Sequence, residues 1–186
     1  EPLNAIFWLM RDPTIPPVLR LEGPSLAAVM GATLATKRTT AERLAPGVDP
    51  NALVCEPYAN PFRTYPLEMD YLRFKRLIED GVSCYILNTG DFMGTKVKPA
   101  HTLSILEAIV EDRARWVPFG NFTGMKTLEL PDFKIDLQNT DYREQLRARF
   151  QDRLNFIASR ETERGGMDRL PFDAREALDR AIVEMH

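Results

Sequence analysis

The run Thr89-Gly90-Asp91-Phe92-Met93-Gly94-Thr95-Lys96 places glycines, hydroxyls and a lysine between an apolar strand pattern and the start of a helix. Such a mixture suits a phosphorylated ligand, because glycines let backbone N–H groups approach an anion and a lysine adds positive charge. The spacing departs from the G-x-x-x-x-G-K-[ST] phosphate loop. Gly90 and Gly94 stand too close together, Thr95 separates Gly94 from Lys96, and Val97 takes the place of the metal-binding hydroxyl. Asp91 opposes a phosphate set beside it. Spacing alone leaves two readings, a ligand loop and a plain strand-to-helix turn.

Other chemistry-bearing residues are scattered. His101 has no second ligand three or four residues away on its helix and reads as a packing histidine. Thr102 either meets a ligand or bonds its own helix backbone. Arg11 and Asp12 follow a strand end, where α/β sites gather, and Arg20 follows a proline loop; ion pairs are the simpler reading of all three. Arg160, Glu161, Glu163 and Arg164 form a solvated charge cluster, and Glu107 and Glu111 a solvated helix face. Cys55 and Cys84 lack metal-binding spacing and sit in apolar stretches, as reduced buried thiols of a cytoplasmic protein do. Neither a Ser-His-Asp nor a Cys-His arrangement is supported, so no residue is assigned as catalytic and none as a metal ligand.

The elements that position these groups follow from hydrophobic periodicity. Asn4 to Met10 is a buried strand, ended by three prolines in the next seven residues. Pro24-Ser25 opens a helix of small residues reaching Thr36. A polar loop spans Lys37 to Asn51, followed by a short apolar run to Cys55 and a proline-rich irregular loop. A helix begins at Pro66 with Leu67, Tyr71, Phe74 and Ile78 on one face and ends at Gly81. Ser83 to Leu87 is a strand, Asn88 to Lys98 a loop, and Pro99 opens a helix with Thr102, Leu106, Ile109 and Val110 on one side. Downstream, WVPFGNF and KTLEL are short strands joined through Gly120 and Gly124, and LPDFKIDLQN is extended. A long helix runs from Tyr142 to Arg160 with Leu146, Phe150, Leu154 and Ile157 on its stripe. A glycine-containing break then leads to a last helix from Phe172 to Met185. The alternation of strand and helix predicts an α/β domain with a sheet covered by helices.

Composition agrees with an ordinary globular chain. The 186 residues suffice for one sizeable core, with 44% apolar and 27% charged residues. The net charge of −3 is interspersed, without the basic stripe that nucleic-acid binding needs. No apolar run reaches the length of a membrane span, and no signal-peptide pattern opens the sequence.

Several of these stretches, in order, resemble the C-terminal part of the ATP-dependent phosphoenolpyruvate carboxykinases. That family has a strand ending in N-T-G, a glycine-containing loop with a basic residue, and a helix bearing a threonine. The matching residues are Asn88-Thr89-Gly90, Gly94-Thr95-Lys96 and Thr102. IFWL…IPPVLRL resembles the family's strand followed by L-P-P-V-x-x-L, and LVCEPYANPF its apolar stretch around a cysteine. WVPFGNF…LELPDFKIDLQNT and the helix after it resemble the closing segment. The likeness runs from Asn4 to Ile157, and ETERGGMDRLPFDAREALDRAIVEMH has no counterpart.

The resemblance implies a mixed sheet flanked by helices, with residues 1–160 forming the nucleotide-base side of the carboxykinase domain and residues 161–186 a helical extension packed on it. It implies oxaloacetate decarboxylation with phosphoryl transfer in a longer protein that uses ATP and Mg or Mn. Carried over by position, Lys96 matches an arginine stacked on the adenine, Val97 an apolar residue touching the base, and Thr102 a hydroxyl near it. Gly90, Gly94 and Thr95 belong to the same loop. The carry-over needs a one-residue gap, and Asp91 stands where the family has tryptophan. The family's phosphate loop and metal-binding residues precede the matched region. The chain, which begins at Glu1, is therefore expected to be a fragment, inactive by itself, whose partners are a nucleotide and the upstream part of the same polypeptide. The alternative is a non-catalytic module that kept the fold and binds a nucleotide or a partner.

Overall fold

The computed structural model describes residues 3–37 and 52–185. In chain order it contains β1 (Ala5–Met10), β2 (Val18–Leu21), α1 (Pro24–Ala32), β3 (Ala35–Lys37), β4 (Leu53–Cys55), α2 (Leu67–Glu79), β5 (Ser83–Asn88), β6 (Asp91–Phe92) and β7 (Thr95–Lys96). There follow α3 (Pro99–Val110), β8 (Trp116–Pro118), β9 (Met125–Leu128), α4 (Thr140–Arg160) and α5 (Phe172–Val183). Five strands form a mixed sheet in the order β1-β5-β2-β9-β8. Only β1 and β5 run parallel, with Met10 opposite Asn88; the other neighbours are antiparallel. Small two-stranded ribbons, β3 with β4 and β6 with β7, lie beside it.

Alternation along β5 explains why the sheet is covered on both faces. Cys84 and Ile86 join a main core with α1, α2, α4 and α5, while Leu87 joins Val18, Ile105 and Leu128 under α3. Tyr85 lies on that second face, stacked between Phe7 and Trp116 at 5.0 and 5.5 Å. The α/β class expected from the sequence is therefore the class found.

The C-terminal helix is built into the main core. Ala174, Leu178, Ala181 and Met185 are buried there. Asp173 Oδ2 accepts hydrogen bonds from Ser25 Oγ (2.7 Å), Tyr71 Oη (2.8 Å) and Lys75 Nζ (2.8 Å), tying α5 to α1 and α2. Burial works to raise the Asp173 pKa, but these three donors outweigh it and hold the carboxyl below its ordinary value. Asp168 accepts from the N–H of Leu67 at 3.1 Å and pairs with Arg63 at 3.0 Å, capping α2 from a residue about a hundred positions away.

Several expectations need correction. The small-residue helix stops at Ala32 rather than reaching Thr36, because Ala35–Lys37 pairs with Leu53–Cys55 as a ribbon. On α3, Ile105 is the buried residue, and Val110, the last residue of the helix, is 81% exposed. On α4, Arg153 is buried and Leu154 is only half-buried. The segment after β9 turns instead of extending, with a single bridge between Leu130 and Phe133. Of the polar loop expected over Lys37 to Asn51, only Lys37 is among the described residues, and there it ends a strand; residues 38–51 lie outside them. Cys55 and Cys84 are both free, as expected, with Cys84 buried and Cys55 half-buried.

Candidate functional site

The C-terminal ends of β1 and β5 point the same way, and the two loops that leave them are clamped by Asn88. Its Nδ2 lies 2.8 Å from the carbonyl of Asp12, 2.6 Å from that of Ile15 and 2.9 Å from that of Asp91. Its Oδ1 accepts from the N–H of Gly90 at 3.0 Å. A fully buried asparagine thus satisfies the backbone of both loops, where an apolar residue would leave carbonyls unpaired. A Cβ on Gly90 would meet the Cβ of Arg11 at 3.1 Å, so the glycine lets the two loops touch.

Beyond Gly90 the loop is a β-hairpin. Asp91 pairs with Lys96 and Phe92 with Thr95. Met93 and Gly94 form the two-residue connection with φ of 47° and 84°, both in the left-handed region that a tight hairpin requires. Phe92 is buried edge-on against Tyr142, 5.5 Å between ring centres, and Val97 is 3% exposed in the main core. Those two residues anchor the hairpin, while Gly94, Thr95 and Lys96 are exposed. Three backbone donors here are committed to protein: Thr89 N–H to Met10, Met93 N–H to Pro13 and Val97 N–H to Gly90. The exposed Lys96 adds positive charge on this surface. Asp91 Oδ1 is 3.3 Å from Lys37 Nζ, which offsets the carboxylate beside Lys96.

Helix α3 starts two residues past the hairpin. His101 Nδ1 accepts from the N–H of Lys98 at 3.1 Å, its Nε2 is 3.2 Å from Asp132, and its ring stands edge-on to Phe133. The packing on Phe133 is the role read from the sequence, and the capping bond to Lys98 adds to it. Thr102 is half-buried in the first turn. Beside this turn, His101, Ile105, Leu128, Leu130 and Phe133 line a cavity of about 240 Å3, and a groove of about 670 Å3 runs between β9 and residues 129–138. Thus the structure gathers Gly90, Gly94, Thr95, Lys96 and Val97 on one hairpin, with Thr102 on the adjoining helix; neither hollow is lined by them.

Among the described residues no group of three or more His, Cys, Asp and Glu side chains is arranged to hold a metal. Arg20 pairs with Glu22 at 3.5 Å and lies over the Trp116 ring at 5.9 Å, as the ion-pair reading expected. Asp12 also forms an ion pair, the reading made from the sequence, and its partner is the buried Arg153 of α4. Asp12 is wholly buried, accepts from Thr14 N–H (2.9 Å) and Thr14 Oγ1 (2.8 Å) on Oδ1, and turns Oδ2 toward Arg153 Nη2 at 3.7 Å. The signal for this was present: Arg153 falls between Phe150 and Ile157 on the apolar stripe of α4.

No family model matches the chain, and no curated protein matches it either. Among the described residues no helix is long and apolar enough to cross a membrane.

Proposed function

We propose that the hairpin and the start of α3 form the nucleotide-base side of a carboxykinase-like site, completed by polypeptide that carries the phosphoryl-transfer groups. One observation carries the reading: a Lys96-bearing hairpin leaves the C-terminal end of β5 beside a parallel neighbour, the crevice position where open α/β sheets bind ligands. The order of the motifs, the exposed Lys96 and the Lys37–Asp91 pair agree with an anionic ligand there. In this reading Lys96 and Thr95 face the ligand, Thr102 offers a hydroxyl, and Gly90, Gly94 and Val97 shape and anchor the loop. ATP is the nucleotide the resemblance implies. Mg or Mn would be held by the completing polypeptide, since the described residues offer no ligand set for it, and no step of the reaction is assigned to this chain.

Titrating ATP into the wild-type chain and into Lys96→Ala tests the assignment. A several-fold weaker affinity in the variant is the expected result, on the order of 1 kcal/mol for one exposed charge contact. Equal affinities would remove Lys96 from the site.

A further inference from the structure

A second site is built from the loop after β1, the β3–β4 ribbon and α4. Asp12, Thr33, Cys55, Arg149, Arg153 and Phe156 are among the residues lining a cavity of about 290 Å3 between α4 and the β3–β4 ribbon. Its polar groups are buried and incompletely used. Arg153, 3% exposed, donates from Nη1 to the carbonyl and the hydroxyl of Thr33, leaving Nε and Nη2 without a hydrogen-bond partner. Asp12, 0% exposed, leaves Oδ2 without one. The 3.7 Å between Oδ2 and Nη2 is too long for a hydrogen bond. Arg149 is taken by Asp152 at 2.9 Å.

Unpartnered buried donors and acceptors are rare in folded proteins, because each forfeits the hydrogen bonds it had in water. Here they occur together at a hollow with apolar walls from Ala35, Leu53 and Phe156. The free edge of Arg153, Nε with Nη2, is the fork that takes a planar acceptor group side-on. Asp12 Oδ2 beside it needs a donor. The carboxylate and the guanidinium already balance in charge, so an added ion would be buried without a counter-ion.

We propose that this cavity binds a small neutral ligand bearing a carboxamide, whose carbonyl accepts from the Arg153 fork and whose N–H donates to Asp12 Oδ2, with a short apolar body against Leu53 and Phe156. The ligand class follows from the free atoms: two donors on Arg153 and an acceptor on Asp12 3.7 Å from one of them, without net charge.

Cys55 reports on occupancy, since it lines the cavity while Cys84 is fully buried. Burial pushes the Cys55 thiol up to about 11, against the pull of Arg153 and Arg160, so its modification is slow enough to time. The experiment measures the rate of N-ethylmaleimide addition to Cys55 in the intact chain with benzamide or benzoate at roughly 10 mM, the affinity range for so small a ligand. Benzamide is expected to slow the reaction saturably, by about twofold where its concentration equals its Kd, and to shift the Arg153 Nε–H resonance, whereas benzoate does neither. Arg153→Lys keeps the charge, loses the fork and should lose the protection. Should that variant fail to fold, Asp12→Asn serves instead: the cavity then carries net positive charge, and preference should pass from benzamide to benzoate. Unchanged rates and an unmoved Nε–H resonance with benzamide would mean the hollow holds water only, and equal effects from benzoate would overturn the neutral class.

Discussion

The hairpin at the end of β5 and the hollow beneath α4 treat polar groups in opposite ways. At the hairpin, the backbone donors of Thr89, Gly90, Met93 and Val97 are all paired within the protein, and the charged groups stand in solvent. In the hollow, two ionic side chains are buried and three of their polar atoms have no partner. An exposed lysine costs the fold little and is easily replaced. A buried arginine must be supported by its surroundings, because a guanidinium out of water is destabilised unless paired. Burial indeed pulls the Arg153 pKa down, with the neighbouring Asp12 carboxylate opposing that pull. Exposed charge at the hairpin and buried charge beneath α4 are thus held in different ways in this molecule.

Substitutions sharpen the contrast. Arg153→Ala strands Asp12 and frees the carbonyl of Thr33, and about 3–5 kcal/mol of unfolding free energy should be lost in urea denaturation. The double variant with Asp12→Ala should lose less than the two single losses together, because the pair is coupled. Fully additive losses would mean that the 3.7 Å approach carries no interaction. Asn88→Ala comes next, at about 2–4 kcal/mol, since carbonyls of two loops lose their donor. Its hydrogen-exchange signature should be confined to the amides of Thr89, Gly90 and Met93, and exchange spreading through α4 would argue against a local clamp. Lys96→Ala is the smallest: its stability should stay within about 0.5 kcal/mol of wild type, whatever it does to ATP affinity. A large loss there would mean that the lysine is structural.

Much of the α/β pattern is legible in the sequence alone. The strand at Ala5–Met10, the helix Leu67–Glu79 ending at Gly81, the strand at Ser83–Asn88 and the long helix at Thr140–Arg160 follow from apolar spacing and chain breakers. The central strand Val18–Leu21 was not legible, being only four residues long and flanked by prolines, too short for a period to register. The hairpin reads as a loop in the sequence, although Met93-Gly94 between paired residues is turn chemistry, because two residues per strand carry too little pattern. For the candidate nucleotide site, the residue types were visible in sequence, but not that Gly90 serves loop-to-loop contact or that Val97 lies in the core.

By itself the sequence determined the class of fold, the order of its main elements and the presence of a lysine-bearing connection after a strand, because those depend on local spacing and on glycine and proline. Tertiary structure alone decided that Asp12 and Arg153, 141 positions apart, share a buried hollow, that Asp168 caps a helix which begins at Leu67, and that Asp173 fastens the last helix to two others. Each of these is a polar group whose partner is distant in the chain. No local pattern reports such a pairing, since the free energy of a buried charge is set by what the fold brings beside it.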